Sequence, residues 1–258
     1  MQNKKWQAIT RWALFFEEIC LPIILLYFTT TSVIFLAVFR NLIWANFQEL
    51  FSGGISDVSQ ISFLLDFNIR IIAIFFNLVT LLILFIRKKQ PQAFDNAKEL
   101  LVPLITIFFY FAYNLIPLFP KDLNGYLLPV AVLPAAFVVG NLLILIGMSI
   151  STVAILNLRD SFAVFVESRG VVSTGLYSFS RHPIYLGYLI KAAGACLLNF
   201  FPGYFFLSSL FVCLLIYRTV LEEKKLLKHC PGYAEYKLRT PSLFLKLFFL
   251  DRKNKARE

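Results

Sequence analysis

Long apolar runs alternate with short polar or basic breaks along this chain, and six of the runs approach or exceed the length of a bilayer span. They cover about residues 20–39, 67–86, 101–119, 126–158, 183–201 and 203–217. Roughly 20 continuous apolar residues in a helix cross the hydrocarbon core. The runs do not alternate polar with apolar and are too long for barrel strands, so helices are predicted. Arg40 closes the first run, Arg87-Lys88-Lys89 the second and Pro120 the third. The fourth is longer than an upright span needs, so it tilts or carries its last turns into the cytosol. Residues 199–203 form a tight turn ending in Pro202-Gly203, which predicts an antiparallel helical hairpin from the last two runs. The predicted fold is all-α: a polytopic membrane bundle of about six transmembrane helices. No internal repeat stands out, which weighs against a transporter built from repeats.

Composition sharpens this reading. Hydrophobic residues make up 59% of the 258 and charged residues only 16%, with 29 Phe and a mean hydropathy of +0.72. An ordinary soluble domain carries about 25% charged residues, so a soluble globular enzyme is excluded. The net charge of +10 does not indicate a nucleic-acid partner, because its placement follows the spans. With the N-terminus cytoplasmic, 21 Lys and Arg fall on inner segments and 3 on outer ones. That asymmetry puts both termini inside and makes anionic lipid headgroups the natural partner of the basic face. The expected location is a bacterial inner membrane or, in a eukaryote, the endoplasmic reticulum. The first apolar run is too long for the core of a cleavable signal. Cys20, Cys196, Cys213 and Cys230 lie at no metal-ligand spacing and read as small buried thiols. With His182 and His229 the only histidines, no metal is expected.

The polar residues gather in two cytoplasmic clusters, one over 159–182 and one from Arg218 onward, flanking the inner end of the hairpin. This divides the chain into four N-terminal spans, 1–157, and a catalytic region, 158–258. In the first cluster Gly175 marks a turn and Pro183 takes the first position of a span, where its missing N–H is harmless. His182 precedes the proline and is pushed out of helical geometry, beside a helix N-terminus suited to a carboxylate or phosphate. Tyr185 sits in the first turn and Gly187 allows another group to come close. Arg181, His182 and Tyr185 are equally common as interfacial anchors of a helix end. In the second cluster Arg218 and Glu222 share a helix face, as a ligand-binding pair or as a stop-transfer Arg with a surface partner. Glu223 reads as a solvated surface charge, or as a general base should the nucleophile be an amine. Lys191, about two turns into the fifth run, reads as a snorkelling lysine or a functional group within the membrane. Asp66 and Arg70 are expected to pair locally, and the apolar-then-basic tail from Ser242 to lie on the membrane surface.

Taken in order, Thr174-Gly175-Leu176-Tyr177, Arg181-His182-Pro183-Ile184-Tyr185 with Gly187, Arg218 with Glu222-Glu223, Gly232-Tyr233-Ala234-Glu235-Tyr236 and Thr240-Pro241 resemble the isoprenylcysteine carboxyl methyltransferases. These are integral-membrane methyltransferases related to the phospholipid N-methyltransferases. The resemblance covers about residues 158–241, and one position departs from it: the Cys230-Pro231-Gly232-Tyr233 stretch is a residue short of the usual pattern. It implies S-adenosyl-L-methionine as cofactor, bound without a G-x-G-x-x-G fingerprint, which this chain lacks. The implied cofactor-binding residues are Arg169, Gly170, Val171, Val172, Tyr177, His182, Pro183, Ile184, Tyr185 and Glu222. Arg218 would bind the substrate, and Arg218 and Glu222 would be the catalytic pair.

The implied reaction is methyl transfer to the carboxylate of a lipid-like or isoprenylated-cysteine substrate entering from the bilayer. A carboxylate is already ionised, so the site needs to align and desolvate the reactants rather than supply a base. A phospholipid or amine N-methyltransferase is the alternative. There the nucleophile starts protonated and Arg218 would repel it. A transporter or non-catalytic membrane protein, and a sterol-reductase-like enzyme of related architecture, are more distant readings.

Overall fold

A computed structural model describes residues 4–51, 58–87, 94–115, 133–166, 170–198 and 202–243. Among these the secondary structure is helical, with no strand: α1 (Lys4–Phe15), α2 (Leu21–Val38), α3 (Arg40–Phe51), α4 (Val58–Ile86), α5 (Lys98–Leu115), α6 (Leu133–Leu158), α7 (Pro183–Leu198), α8 (Pro202–His229) and α9 (Tyr233–Arg239). The chain is an all-α membrane protein. Four stretches are long and apolar enough to cross a bilayer: Ile9–Val38, Phe67–Ile86, Ala135–Ser161 and Pro202–His229. α7 is a shorter apolar helix of 16 residues. Large apolar side chains such as Ile23, Ile34, Phe75, Phe85 and Phe108 stay exposed. In a bilayer those faces meet lipid tails, so their exposure carries no penalty.

Several elements extend beyond the apolar runs. α1 joins α2 without a break through a single wide turn, Phe16–Cys20. Pro22, at the start of α2, explains this turn: its ring cannot donate and would strike the carbonyl four residues back, and a π turn relieves both conflicts. α3 is a helix where a bland outer connection was expected. α8 continues twelve residues past Tyr217, so Arg218, Glu222, Glu223 and Lys225 ride on one rigid helix. Residues 116–132, 199–201 and 244–258 lie outside the described residues. With them go the ends of the third and fourth runs, much of the hairpin turn and most of the tail.

α7 packs chiefly against α6, with a smaller seam of Tyr185, Ala192, Phe211 and Leu215 against α8. The α6–α7 contact is made by glycines. A Cβ on Gly147 would stand 2.4 Å from the Gly187 carbonyl oxygen, and one on Gly194 would stand 2.4 Å from that of Gly140. Each helix repeats its glycine at an interval of seven, two turns along the same face, so the antiparallel backbones touch in two places. Gly187 thus admits a neighbouring helix, with the Ser151 hydroxyl donating to the Ile184 carbonyl at 3.1 Å beside it. The close fit sets the depth and rotation of α7 and therefore aims its N-terminal turn.

The cysteines differ from expectation: Cys213 is exposed and the other three are partly exposed, all as free thiols. Arg70 places its guanidinium carbon 3.6 Å from the centre of the Phe35 ring. The Asp66 side chain is outside the described residues.

Candidate functional site

Between α6 and α7 the chain makes a buried loop. Val164, Phe165 and Val166 are almost fully enclosed, so their backbone polar groups need partners. Long side chains supply two of these. The Val164 amide donates to Glu17 Oε1 at 3.3 Å, and Arg218 Nη2 donates to the Val164 carbonyl at 2.7 Å. The Val166 amide donates to the Glu99 carbonyl at 3.4 Å. Glu17 lies on the wide turn before α2 and pairs with Arg87 of the α4 terminus at 2.5 Å; both are buried. Arg87 Nη1 also donates to the Phe162 carbonyl at 3.3 Å. A second buried pair, Glu99 with Lys225 at 2.5 Å, ties α5 to α8.

Past this loop, Gly175 takes a positive φ of 61° where a Cβ would strike the Asn157 side chain. The Asn157 Oδ1 accepts from the Leu176 amide at 3.0 Å, which fixes the turn carrying Tyr177. Tyr177 is buried, and burial together with the nearby Glu222 carboxylate holds its phenol well above the ordinary range, so it stays protonated. Its carbonyl accepts from the Tyr236 hydroxyl at 2.6 Å. The backbone of Arg181 and His182 donates to the carbonyls of Pro241 and Ser242 at 2.9 and 3.1 Å. The start of the C-terminal segment is thus strapped across the entry to α7.

The side chains converge where α7 begins. His182, buried, stacks its ring on Tyr185 with centroids 5.5 Å apart and planes 7° from parallel. Its Nε2 lies 3.3 Å from Glu223 Oε1 and its Nδ1 3.7 Å from Glu222 Oε2. Tyr185 donates its hydroxyl to Glu222 Oε1, which also accepts from Arg218 Nε at 2.9 Å. Glu223 is held by Arg181 at 3.1 Å and Lys237 at 2.9 Å, and accepts from the Ser242 hydroxyl at 3.1 Å. Glu223 is therefore not the solvated charge expected: at 8% exposure it joins α7, α8, α9 and the C-terminal strap.

Arg181, His182, Tyr185, Arg218 and Glu222 border one cavity of about 200 Å³. Gly170, Tyr177, Arg181, His182, Ile184, Tyr185, Arg218 and Glu222 form its polar end. Its apolar arm passes Tyr188, Tyr110 and Phe76 toward Leu21, Leu25 and Phe111. Of the expected site residues, Val171 and Val172 lie on the adjoining loop without lining the cavity. Pro183 is buried behind His182, and Arg169 is outside the described residues. Lys191 does not snorkel. It is buried, with Nζ 4.2 Å from the centre of the Tyr110 ring, on the far side of the Tyr110–Tyr188 pair from the polar end.

The sequence reading missed the buried pairs that brace the site's loop from outside the cavity: Glu17 with Arg87, and Glu99 with Lys225. Glu17, embedded at the edge of an apolar run, was the available signal, since a carboxylate entering a membrane needs a partner.

Comparison with known proteins agrees with the motifs. Residues 135–232 match the family model described as phospholipid methyltransferase. The chain is also similar to the protein-S-isoprenylcysteine O-methyltransferase of Saccharomyces cerevisiae, 35% identical over 111 residues, which cover 39% of this chain and 45% of that protein. The match thus spans less than half the length of the curated relative. Both comparisons bear out the resemblance to the isoprenylcysteine carboxyl methyltransferase-like family.

Proposed function

We propose that this chain, which carries the phospholipid-methyltransferase family segment at residues 135–232, is an integral-membrane methyltransferase. It uses S-adenosyl-L-methionine and methylates the carboxylate of a lipid-like, prenylated-cysteine-type substrate. The observation that carries this reading is a single cavity with a charged polar end, Arg218 and Glu222 opposite His182 and Tyr185, and an apolar arm running into the bundle. A water-soluble methyl donor suits the first and a lipid tail the second. The donor set fits the cofactor: Glu222 offers a carboxylate to an ammonium or ribose hydroxyl, and Tyr177, His182 and Tyr185 offer ring surface. When bound, the cofactor would supply an electrophilic sulfonium methyl group.

The chain's own residues supply position and charge. Arg218 is fixed by Glu222 and the Val164 carbonyl, so its guanidinium is held against the cavity wall without further ordering. It would grip one oxygen of the substrate carboxylate and leave the other free as the nucleophile. That carboxylate is already ionised, so none of these residues has to move a proton. Tyr185, donating its hydroxyl to Glu222, orients that carboxylate. The buried loop at Val164–Val166 keeps water from the reacting end. In this reading both termini face the cytosol, the side on which the basic residues of the sequence gather, and the region from 158 onward carries most of the chemistry.

The family description that names phospholipids favours one second reading, N-methylation of an aminophospholipid. Arg218 at the cavity wall disfavours a cationic amine. Calorimetric titration of the purified protein with S-adenosylhomocysteine tests the cofactor assignment. The wild type binds, and Glu222→Ala loses binding; unaltered binding by Glu222→Ala would remove Glu222 from the site.

A further inference from the structure

The cavity has two arginines on its wall, and they are not equally occupied. Arg218 uses Nε on Glu222 and Nη2 on the Val164 carbonyl. Arg181 is about nine-tenths buried, with 9% side-chain exposure, and gives only Nη2 to Glu223, at 3.1 Å. Among the described residues its Nε and Nη1, both enclosed, have no hydrogen-bond partner. Leaving two charged donors empty in a buried setting is expensive, and Arg181 borders the same cavity as His182 and Glu222.

Charge points the same way. Around His182 the described residues place three cations, Arg181, Arg218 and Lys237, against two carboxylates, Glu222 and Glu223. Among these five groups one positive charge is left over. Arg218's share is answered by Glu222, and Lys237 and Arg181 divide Glu223 between them. The surplus therefore sits on the Arg181 side of His182, where the open donors are. Glu222 lies on the other side of that ring, reached by Nδ1, while Nε2 faces Glu223 and Arg181. An acceptor for an ammonium and donors for a carboxylate thus flank one imidazole.

We infer that Arg181 is the anion-recognition residue for the amino-acid end of the methyl donor: it takes the α-carboxylate while Glu222 takes the α-ammonium, which leaves Arg218 free for the substrate's carboxylate. The inference rests on the cofactor reading above and adds a division of labour between the two arginines. It also accounts for Glu223, a positioning residue that holds Arg181 and His182 at a common distance without reaching the ligand. The small site can then bind two carboxylates, one from each reactant, without confusing them.

The test edits the ligand and the residue together. The full-length protein is titrated calorimetrically with S-adenosylhomocysteine and with its decarboxylated analogue, which keeps the amine, the sulfur and the nucleoside. Wild type should bind S-adenosylhomocysteine about ten- to one-hundred-fold more tightly, the range expected for hydrogen bonds to a charged group. Arg181→Gln should lose that preference, weakening for S-adenosylhomocysteine and holding within about twofold for the analogue. Arg181→Lys should recover part of it, and Arg218→Ala should keep the preference. Thermal unfolding of each variant accompanies the titrations, and the wild-type comparison needs no variant at all. Equal binding of both probes by wild type overturns the inference and leaves the cofactor reading standing. Equal weakening of both probes in Arg181→Gln reduces Arg181 to a structural role and overturns it too. Binding of neither probe by wild type removes the cofactor reading and this inference with it.

Discussion

Glu222 and Glu223 are neighbours on α8 with different partners. Glu222 faces the cavity, between Arg218, Tyr185 and His182, whereas Glu223 turns toward Arg181, Lys237 and Ser242. Arg218 with Glu222 was legible in the sequence because four residues bring two side chains to one helix face. Glu223 was not, since an exposed and a buried carboxylate look alike until the residues of α9 and the strap are in place. Lys191 was misjudged for a related reason. Its fate depends on Tyr110, a residue of another helix 81 positions away, whose ring caps the ammonium. Arg218→Ala is expected to leave S-adenosylhomocysteine affinity within a few-fold while turnover falls about 100-fold or more, as for loss of a positioned charged donor. The thermal midpoint should also fall, because the Val164 carbonyl loses its partner. Parallel titration and initial-rate measurements check this; unchanged turnover would remove Arg218 from the substrate site.

Among the elements, the long apolar helices were legible, whereas α1, α3, α9 and the junctions were not. Continuous apolar runs announce helices because only helices satisfy their backbones in lipid. The wide turn at Phe16–Cys20 instead follows from one proline, and its consequence is positional: it turns Glu17 toward Arg87 and the Val164 amide. The α6–α7 glycine seam escaped notice because its four members lie in two runs and become a pattern only when paired antiparallel. That seam carries a prediction. A side chain on Gly147 meets the Gly187 carbonyl and the Lys191 backbone rather than a movable side-chain tip, so α7 must shift. Gly147→Val should destabilise the detergent-solubilised protein by about 1–3 kcal/mol, read as a lowered unfolding midpoint. Affinity for S-adenosylhomocysteine should fall in parallel, since His182 and Tyr185 move with α7.

The whole molecule does not divide as its motifs do. Every motif that carries the family resemblance lies at or after residue 174, yet the loop before them is held by Glu17 and Glu99, and the cavity's apolar arm by α2, α4 and α5. The N-terminal spans are part of the site's frame, which a split at residue 158 hides. Glu17→Ala leaves Arg87 buried without its carboxylate, a loss of about 3–5 kcal/mol by the usual measure of a broken buried pair. Glu17→Ala combined with Arg87→Met should be milder than the single change, which thermal unfolding of the two variants will decide. The termini of α4, α5, α6, α7 and α8 gather at one polar end, which brings Arg87, Arg181, Arg218 and Lys225 close to one another. This end is proposed to transfer a methyl group to a lipid-borne carboxylate. Incubating the membrane-embedded protein with methyl-tritiated S-adenosyl-L-methionine and an S-prenylated N-acetylcysteine, followed by base, tests that transfer. Label in the lipid fraction that base releases as methanol is expected, with none formed by Glu222→Ala. Label that resists base and follows an aminophospholipid, or no transfer to any lipid, would contradict it.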